Sequence, residues 1–170
     1  MANLREKIAL SLLRKHIQST KSEQLKSLAH VREVGVVYDV KKTPVQVINR
    51  VVHHFESEGK TVQALGFVNE KTLEGISGSK GESFFCKKDL NFWKFPKKKS
   101  VQDFVGRDFD YLINLDLNGD MTLQAVSTFS KAKTRIGKWT EPFSFAQDFM
   151  LKTTAETEED LFQEIIKYIK

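Results

Sequence analysis

The chain predicts an α/β domain in three layers, with helices on both faces of a mostly parallel sheet and an amphipathic helix in front of it. Three observations carry that prediction. Runs that read as strands occur at residues 31–40, 61–68 and 110–117, the first of them β-branched and nearly continuous in its apolar character, as expected of a strand covered on both faces. Segments with apolar residues at helical spacing separate them. Strand, helix and strand follow one another within residues 31–68, the length of a parallel crossover, which is right-handed in nearly all known cases.

Leu4, Ile8, Leu12 and Ile17 recur at helical spacing among Arg5, Lys7, Arg14 and Lys15, so the first twenty or so residues predict a basic amphipathic helix. VREVGVVYDV from Val31 is the first strand. Thr43 before Pro44 reads as an N-cap followed by a first-turn proline, and Val47, Ile48, Val51, Val52 and Phe55 mark the stripe of a helix that ends near Gly59. TVQALGFV, residues 61–68, is the second strand.

Residues 69–81 contain three glycines and give a weak helix or a loop. Residues 83–86 offer a short third strand, residues 94–99 with Pro96 a polar loop, and residues 101–105 a short helix ended by Gly106. DYLINLDL from Asp110 predicts a strand near the centre of the sheet. Leu123, Val126 and Phe129 mark a helix over residues 121–131, residues 134–137 a short strand, and residues 145–151 a last one. Thr157 caps a final helix bearing Leu161, Ile165, Ile166 and Ile169. This alternation places the chain among Rossmann-like (flavodoxin-like) sheets, with residues 1–28 as helix and linker and residues 29–170 as the α/β domain.

At 170 residues, 40% of them hydrophobic, the chain supports one packed core rather than two. The single Cys excludes an internal disulfide framework, and no Cys and His lie at zinc spacing. Both features fit a reducing compartment, so a cytoplasmic location is the expectation. The N-terminus lacks the pattern of a secretory signal, and no apolar run is long enough to span a bilayer. A formal net charge of +5 favours anionic partners such as RNA, phospholipid headgroups or phosphorylated metabolites, although surplus lysine also serves solubility. The excess concentrates in the N-terminal helix, in residues 87–99 and in residues 131–138.

Ligands of such sheets bind beyond the carboxyl ends of the strands, which makes Asp39, Thr43, Asn69, Asp116 and Asn118 the candidate binding rim. Neither a dinucleotide fingerprint nor a Walker loop accompanies them, and no cofactor is implied. Asp116, Asn118 and Asp120 are spaced like a calcium loop, but Met121 holds its glycine position and Ser127 its bidentate carboxylate position. No metal site is expected. His53 and His54 point about 100° apart on a helix and do not act as a pair. Cys86 reads as a small buried thiol at a strand end. No catalytic residue is assigned.

The stretch from Cys86 to Lys99 interleaves aromatics with lysines, a composition suited to stacking on bases and pairing with phosphates. Lys87, Lys88, Trp93, Lys97, Lys98 and Lys99 form the candidate anion or nucleic-acid surface. The same stretch also reads as a loop pinned by Phe92, Trp93 and Phe95 with its lysines in water. Lys131, Lys133, Arg135, Lys138 and Trp139 present the same two readings.

FDYLINLDLNGDMTLQAVSTFSKAKTRIGKW, residues 109–139, resembles the stretch of bacterial heptosyltransferases in which a strand ending in Asp leads into a helix and an Arg-Ile-Gly strand. With LGFVN at Leu65 and FFCKKDLNFW at Phe84, it is also similar, over most of the chain, to a family of short bacterial proteins of unassigned function. The first resemblance implies the N-terminal, acceptor-facing Rossmann-like half of a two-domain glycosyltransferase, without the half that grips the nucleotide sugar. The catalytic Gly-Asp turn of those enzymes is replaced by Asp39-Val40-Lys41-Lys42-Thr43-Pro44, leaving Asp39 as the carboxylate nearest the right place.

Three functional readings follow from the sequence. The first is a non-catalytic module that binds a macromolecular partner or an anionic ligand through the lysine-rich loop and the strand ends. The second is a residual transferase or sugar-phosphate enzyme using Asp39 and Asp116. The third is RNA or ribosome association through residues 87–99. The N-terminal helix suits an anionic membrane, packing on the domain, or a second copy of the chain.

Overall fold

A computed structural model describes residues 2–18 and 25–170. Helix α1 (Leu4–Gln18) precedes strand β1 (Glu33–Asp39), helix α2 (Val45–Ser57), strand β2 (Thr61–Val68) and strand β3 (Glu82–Cys86). Helix α3 (Lys99–Val105), strand β4 (Tyr111–Asn114), helix α4 (Met121–Phe129), strand β5 (Thr134–Lys138), strand β6 (Phe149–Leu151) and helix α5 (Glu158–Ile169) complete the order. The six strands form one sheet in the order β3-β2-β1-β4-β5-β6, and every pairing in it is parallel.

Parallel pairing requires crossovers that cover both faces, and alternation along β1 shows how the sequence meets that need. Val34, Val36 and Tyr38 face α2 and α5, whose Val47, Ile48, Val51, Leu161 and Ile165 share one buried cluster with them. Val37 faces the other way, into a cluster built from Leu65, Phe67, Phe85, Val101, Leu123 and Val126. No helix of the described residues is long and apolar enough to cross a membrane.

Five local expectations change. The buried positions of α1 are Ala9 and Leu13, packed with Ala125 and Phe143, whereas Leu4, Ile8 and Leu12 face outward. The packing face is therefore offset by one residue from the stripe of large apolar residues. With α1 over its outer side, α4 is buried nearly all round, including Gln124, Ser127 and Thr128. Thr43 does not cap α2: Pro44 holds the cap position, and the buried Thr43 hydroxyl has no partner among the described residues. Helix α4 stops at Phe129, where Ser130 turns extended, and the last strand begins only at Phe149, after a 3-10 turn at Glu141–Phe143. Arg135 is not a surface cation but lies buried on β5 against Asp148.

The β2–β3 crossover carries no helix; residues 69–81 form an open loop. Three glycines and two serines in residues 75–81 explain this, because glycine loses the most freedom on ordering and serine competes for backbone hydrogen bonds.

Asp110, at the start of β4, clamps the amino end of the sheet. Its carboxylate accepts hydrogen bonds from Arg32 N at 2.8 Å, Glu33 N at 3.1 Å and Lys133 Nζ at 2.8 Å. Burial alone raises this carboxyl, but Lys133 and the two amides outweigh it and hold the group at about 2, against an ordinary 3.8. A depressed folded value means stability that is full above the ordinary value and lost as pH falls through the folded one. Acid titration followed by circular dichroism is therefore expected to show Asp110→Asn with a shallower loss of stability than the parent between pH 3.8 and about 2. Equal slopes would remove Asp110 from the acid transition.

Candidate functional site

In this strand order the crossovers reverse direction between β1 and β4, so a crevice opens there beyond the carboxyl ends. Asp39, Asp116 and Glu158 are buried around it. Asp39 Oδ1 accepts from Lys41 N at 2.9 Å and Lys42 N at 3.2 Å, while Oδ2 is buried with no partner among the described residues. Asp116 is fully engaged, by Asn118 N at 3.0 Å, Asp120 N at 2.6 Å and Gln124 Nε2 at 2.8 Å. Asp120 caps α4 through Thr122 N and Leu123 N.

Burial raises the Asp120 carboxyl, and the charges of Asp116 and Asp39 raise it further against its two capping amides. Burial likewise raises Glu158, with Asp39 and Asp116 adding to it and Lys42 opposing. The crevice is thus negative. A phosphate there would meet carboxylates at short range, the reverse of what anion binding requires.

The rim residues do not converge on one site. Asn118 lines a cavity between α2 and α5, where Lys42, Arg50 and Lys138 face Glu156, Glu158 and Glu159. Arg50 closes one side of it through an ion pair with Glu159. Thr43 lines a separate cavity between α2 and the β2–β3 loop. Asn69 lines a third, of about 460 Å³, together with Lys87 of the lysine-rich stretch. Among the described residues, no group of three or more His, Cys, Asp or Glu side chains is placed to hold a metal ion.

The lysine-rich stretch divides as well. Phe95 is buried and Trp93 is packed against the α1–α4 cluster, so two of the three aromatics pin the loop. Lys98 donates to Phe84 O at 3.1 Å and lies 3.8 Å from Asp89, and Lys99 pairs with Asp103 one helical turn on. Lys87, Lys88 and Lys97 remain exposed. Cys86 is buried, its thiol donating to Lys71 O. In the second basic segment Lys133 holds Asp110, Lys138 donates to Ala155 O, and Trp139 lies beneath Lys152.

The third cavity joins residues far apart in the chain. Arg5 reaches it from α1, Phe67 and Asn69 from the end of β2, Lys87 from the turn after β3, Leu90, Asn91 and Lys94 from the following loop, and Asp120 and Thr122 from the start of α4, Asp120 being its one carboxylate. Arg5, Lys87 and Lys94 have no carboxylate partner among the described residues. Arg5 stacks on Phe92 at 4.4 Å from the ring centroid, and its Nε is buried without a hydrogen bond among the described residues. Lys94 adopts φ 66°, uncommon for a side-chain-bearing residue. Thr122 Oγ1 holds that conformation by donating to Lys94 O at 3.0 Å. Strain that the surroundings enforce is found disproportionately at binding sites.

Arg5 and Lys94 were not legible as site residues. The first is one of several basic residues of an amphipathic helix and the second sits in a loop, and only the docking of α1 on α4 brings them to Asn69. Residues 5–170 match a family of unknown function, DUF6913. No curated protein and no solved structure matches the chain.

Proposed function

The chain belongs to that family, and we propose that it is a non-catalytic Rossmann-like module holding a small phosphate-bearing ligand in the cavity formed by Arg5, Asn69, Lys87 and Lys94. The single observation behind this reading is the convergence of three cations, without a carboxylate partner among the described residues, from three separate segments on one cavity of about 460 Å³ whose only carboxylate is Asp120. Cavities of that size suit small ligands. Arginine supplies a planar fork and lysine a mobile point charge, the usual pair for phosphate oxygens. Asn69 and Asn91 add amide donors, and Phe67 and Leu90 an apolar wall.

Thermal-shift and calorimetric titration with inorganic phosphate, pyrophosphate and nucleoside diphosphates at low ionic strength tests the reading. A ligand at one hundred times its dissociation constant stabilises by about 2.7 kcal/mol. Binding is expected to weaken as salt rises and to disappear in the Lys87→Glu/Lys94→Glu variant. No shift with any of these anions would end the proposal. An RNA oligomer that binds more tightly, and is released by Lys88→Glu/Lys97→Glu instead, would transfer the anionic partner to the exposed lysines.

A second reading rests on the resemblance to heptosyltransferases and on the buried, unpartnered Oδ2 of Asp39. It makes Asp39 the base of a residual sugar-transfer reaction. Thermal stabilisation by a nucleotide sugar, abolished in Asp39→Asn, supports it; the absence of any shift across a nucleotide-sugar panel argues against it.

A further inference from the structure

The cavity between α2 and the β2–β3 loop measures about 370 Å³ and exists because that crossover has no helix. A helix there would cover the sheet edge; instead Val40, Ile48, Ile76 and Phe84 line an open apolar space. Val45, 67% exposed, forms its lip. We propose that this cavity binds a small organic ammonium ligand, its cationic head on Glu82 and its apolar body against Tyr38 and Phe84.

Charge selects the class of ligand. Glu82 is the one charged residue among those lining the cavity, and no lysine or arginine joins it. Its carboxylate is already fixed on one side, where Oε2 accepts from Ser79 N at 2.7 Å. An anion would be repelled and a neutral ligand would leave the charge unmatched, whereas an ammonium group gains a charge-assisted hydrogen bond. Tyr38 and Phe84 present aromatic rings, which attract cations. Tyr38 also stays protonated: burial, and then the Glu82 charge, push its hydroxyl upward.

A second observation points to a ligand independently of that charge. Thr43 is 4% exposed and lines the cavity, yet its hydroxyl has no hydrogen-bond partner among the described residues. Buried hydroxyls without partners are uncommon, and an N–H of the ligand would satisfy this one. Gly78 completes the wall. A Cβ there would lie 2.5 Å from Phe84 Cε2 and 2.7 Å from Glu82 Oε2, so only glycine lets the loop close onto the two side chains that meet the ligand.

The test is amide chemical-shift mapping and calorimetric titration of the full chain with phenethylamine, cyclohexylmethylamine and hexylamine. The neutral 2-phenylethanol and the anionic phenylacetate serve as matched probes. At least one amine is expected to perturb the amides of residues 75–79 and 82, with 2-phenylethanol weaker by at least about tenfold and phenylacetate silent. Glu82→Gln, which keeps an acceptor for Ser79 N, is expected to lose amine affinity by a similar factor without a fall in melting temperature. Thr43→Val should weaken binding while leaving the fold intact, because its hydroxyl holds nothing in the free protein. Lys87→Glu/Lys94→Glu should leave amine binding unchanged, which separates this site from the anionic one. Silence from all three amines, equal binding of amine and alcohol, or full affinity in a folded Glu82→Gln protein would each overturn the proposal.

Discussion

Asp148→Ala is expected to destabilise the fold by about 3–5 kcal/mol, the loss typical when one member of a buried ion pair is removed. Arg135 and Asp148 have side chains only 4% and 9% exposed. Arg135 Nε and Nη2 donate to the two carboxylate oxygens, each at 2.8 Å, and Arg135 N donates to Oδ2 as well. Truncation would leave a buried guanidinium holding only Thr128 O at 3.4 Å, together with an unpaired strand amide. Arg135→Met/Asp148→Leu should recover part of the loss by removing both charges, but not all of it, since the amide of residue 135 stays unsatisfied. Urea unfolding followed by fluorescence and circular dichroism checks both variants. A loss below about 1 kcal/mol for Asp148→Ala would assign the pair the behaviour of an exposed one.

Phe109→Ala should have an effect of similar size, about 3–5 kcal/mol, because a fully buried aromatic leaves a cavity that its surroundings fill only in part. The ring lies over Gly35 in β1, where an added Cβ would come within 2.8 Å of Phe109 Cε2 and 3.0 Å of Leu112 Cδ1. Gly35→Ala is thus an overpacking substitution, expected to destabilise by about 1–3 kcal/mol. The two changes are complementary in volume, so Gly35→Ala/Phe109→Ala should be less destabilised than the sum of the single variants. Strict additivity in the same urea titrations would show that ring and glycine do not share the space.

The strands were legible in the sequence because a doubly covered strand must be apolar along its length, as Val34, Val36 and Val37 show. The crossover without a helix was legible in part, from the glycines between Gly75 and Gly81. Packing faces were less so. Leu4, Ile8 and Leu12 form the regular apolar stripe of α1, yet Ala9 and Leu13, one position on, meet α4, where Ala125 also lies. Small residues let two helices approach closely, a condition that counting large apolar residues does not register.

Arg135 shows the same gap for charge. Its sequence neighbours Lys131, Lys133 and Lys138 suggest a basic surface, but β5 is covered on both faces, which buries Arg135, while Asp148, thirteen positions on, supplies the partner. The candidate rim divided for a related reason. Asp39, Thr43, Asn69 and Asn118 all follow strand ends, and each helix or loop packed between them walls off a different cavity.

The sequence by itself determined the class of fold, the order of strands and helices along the chain, and its surplus of positive charge. Burial and local conformation are written into neighbouring residues, so periodicity reveals them. Which charges stand free, which are buried in pairs and which cavities they enclose was decided only by the tertiary structure. Those properties depend on distances between residues such as Arg5, Asn69 and Lys94 that the chain brings together only when α1 closes over α4.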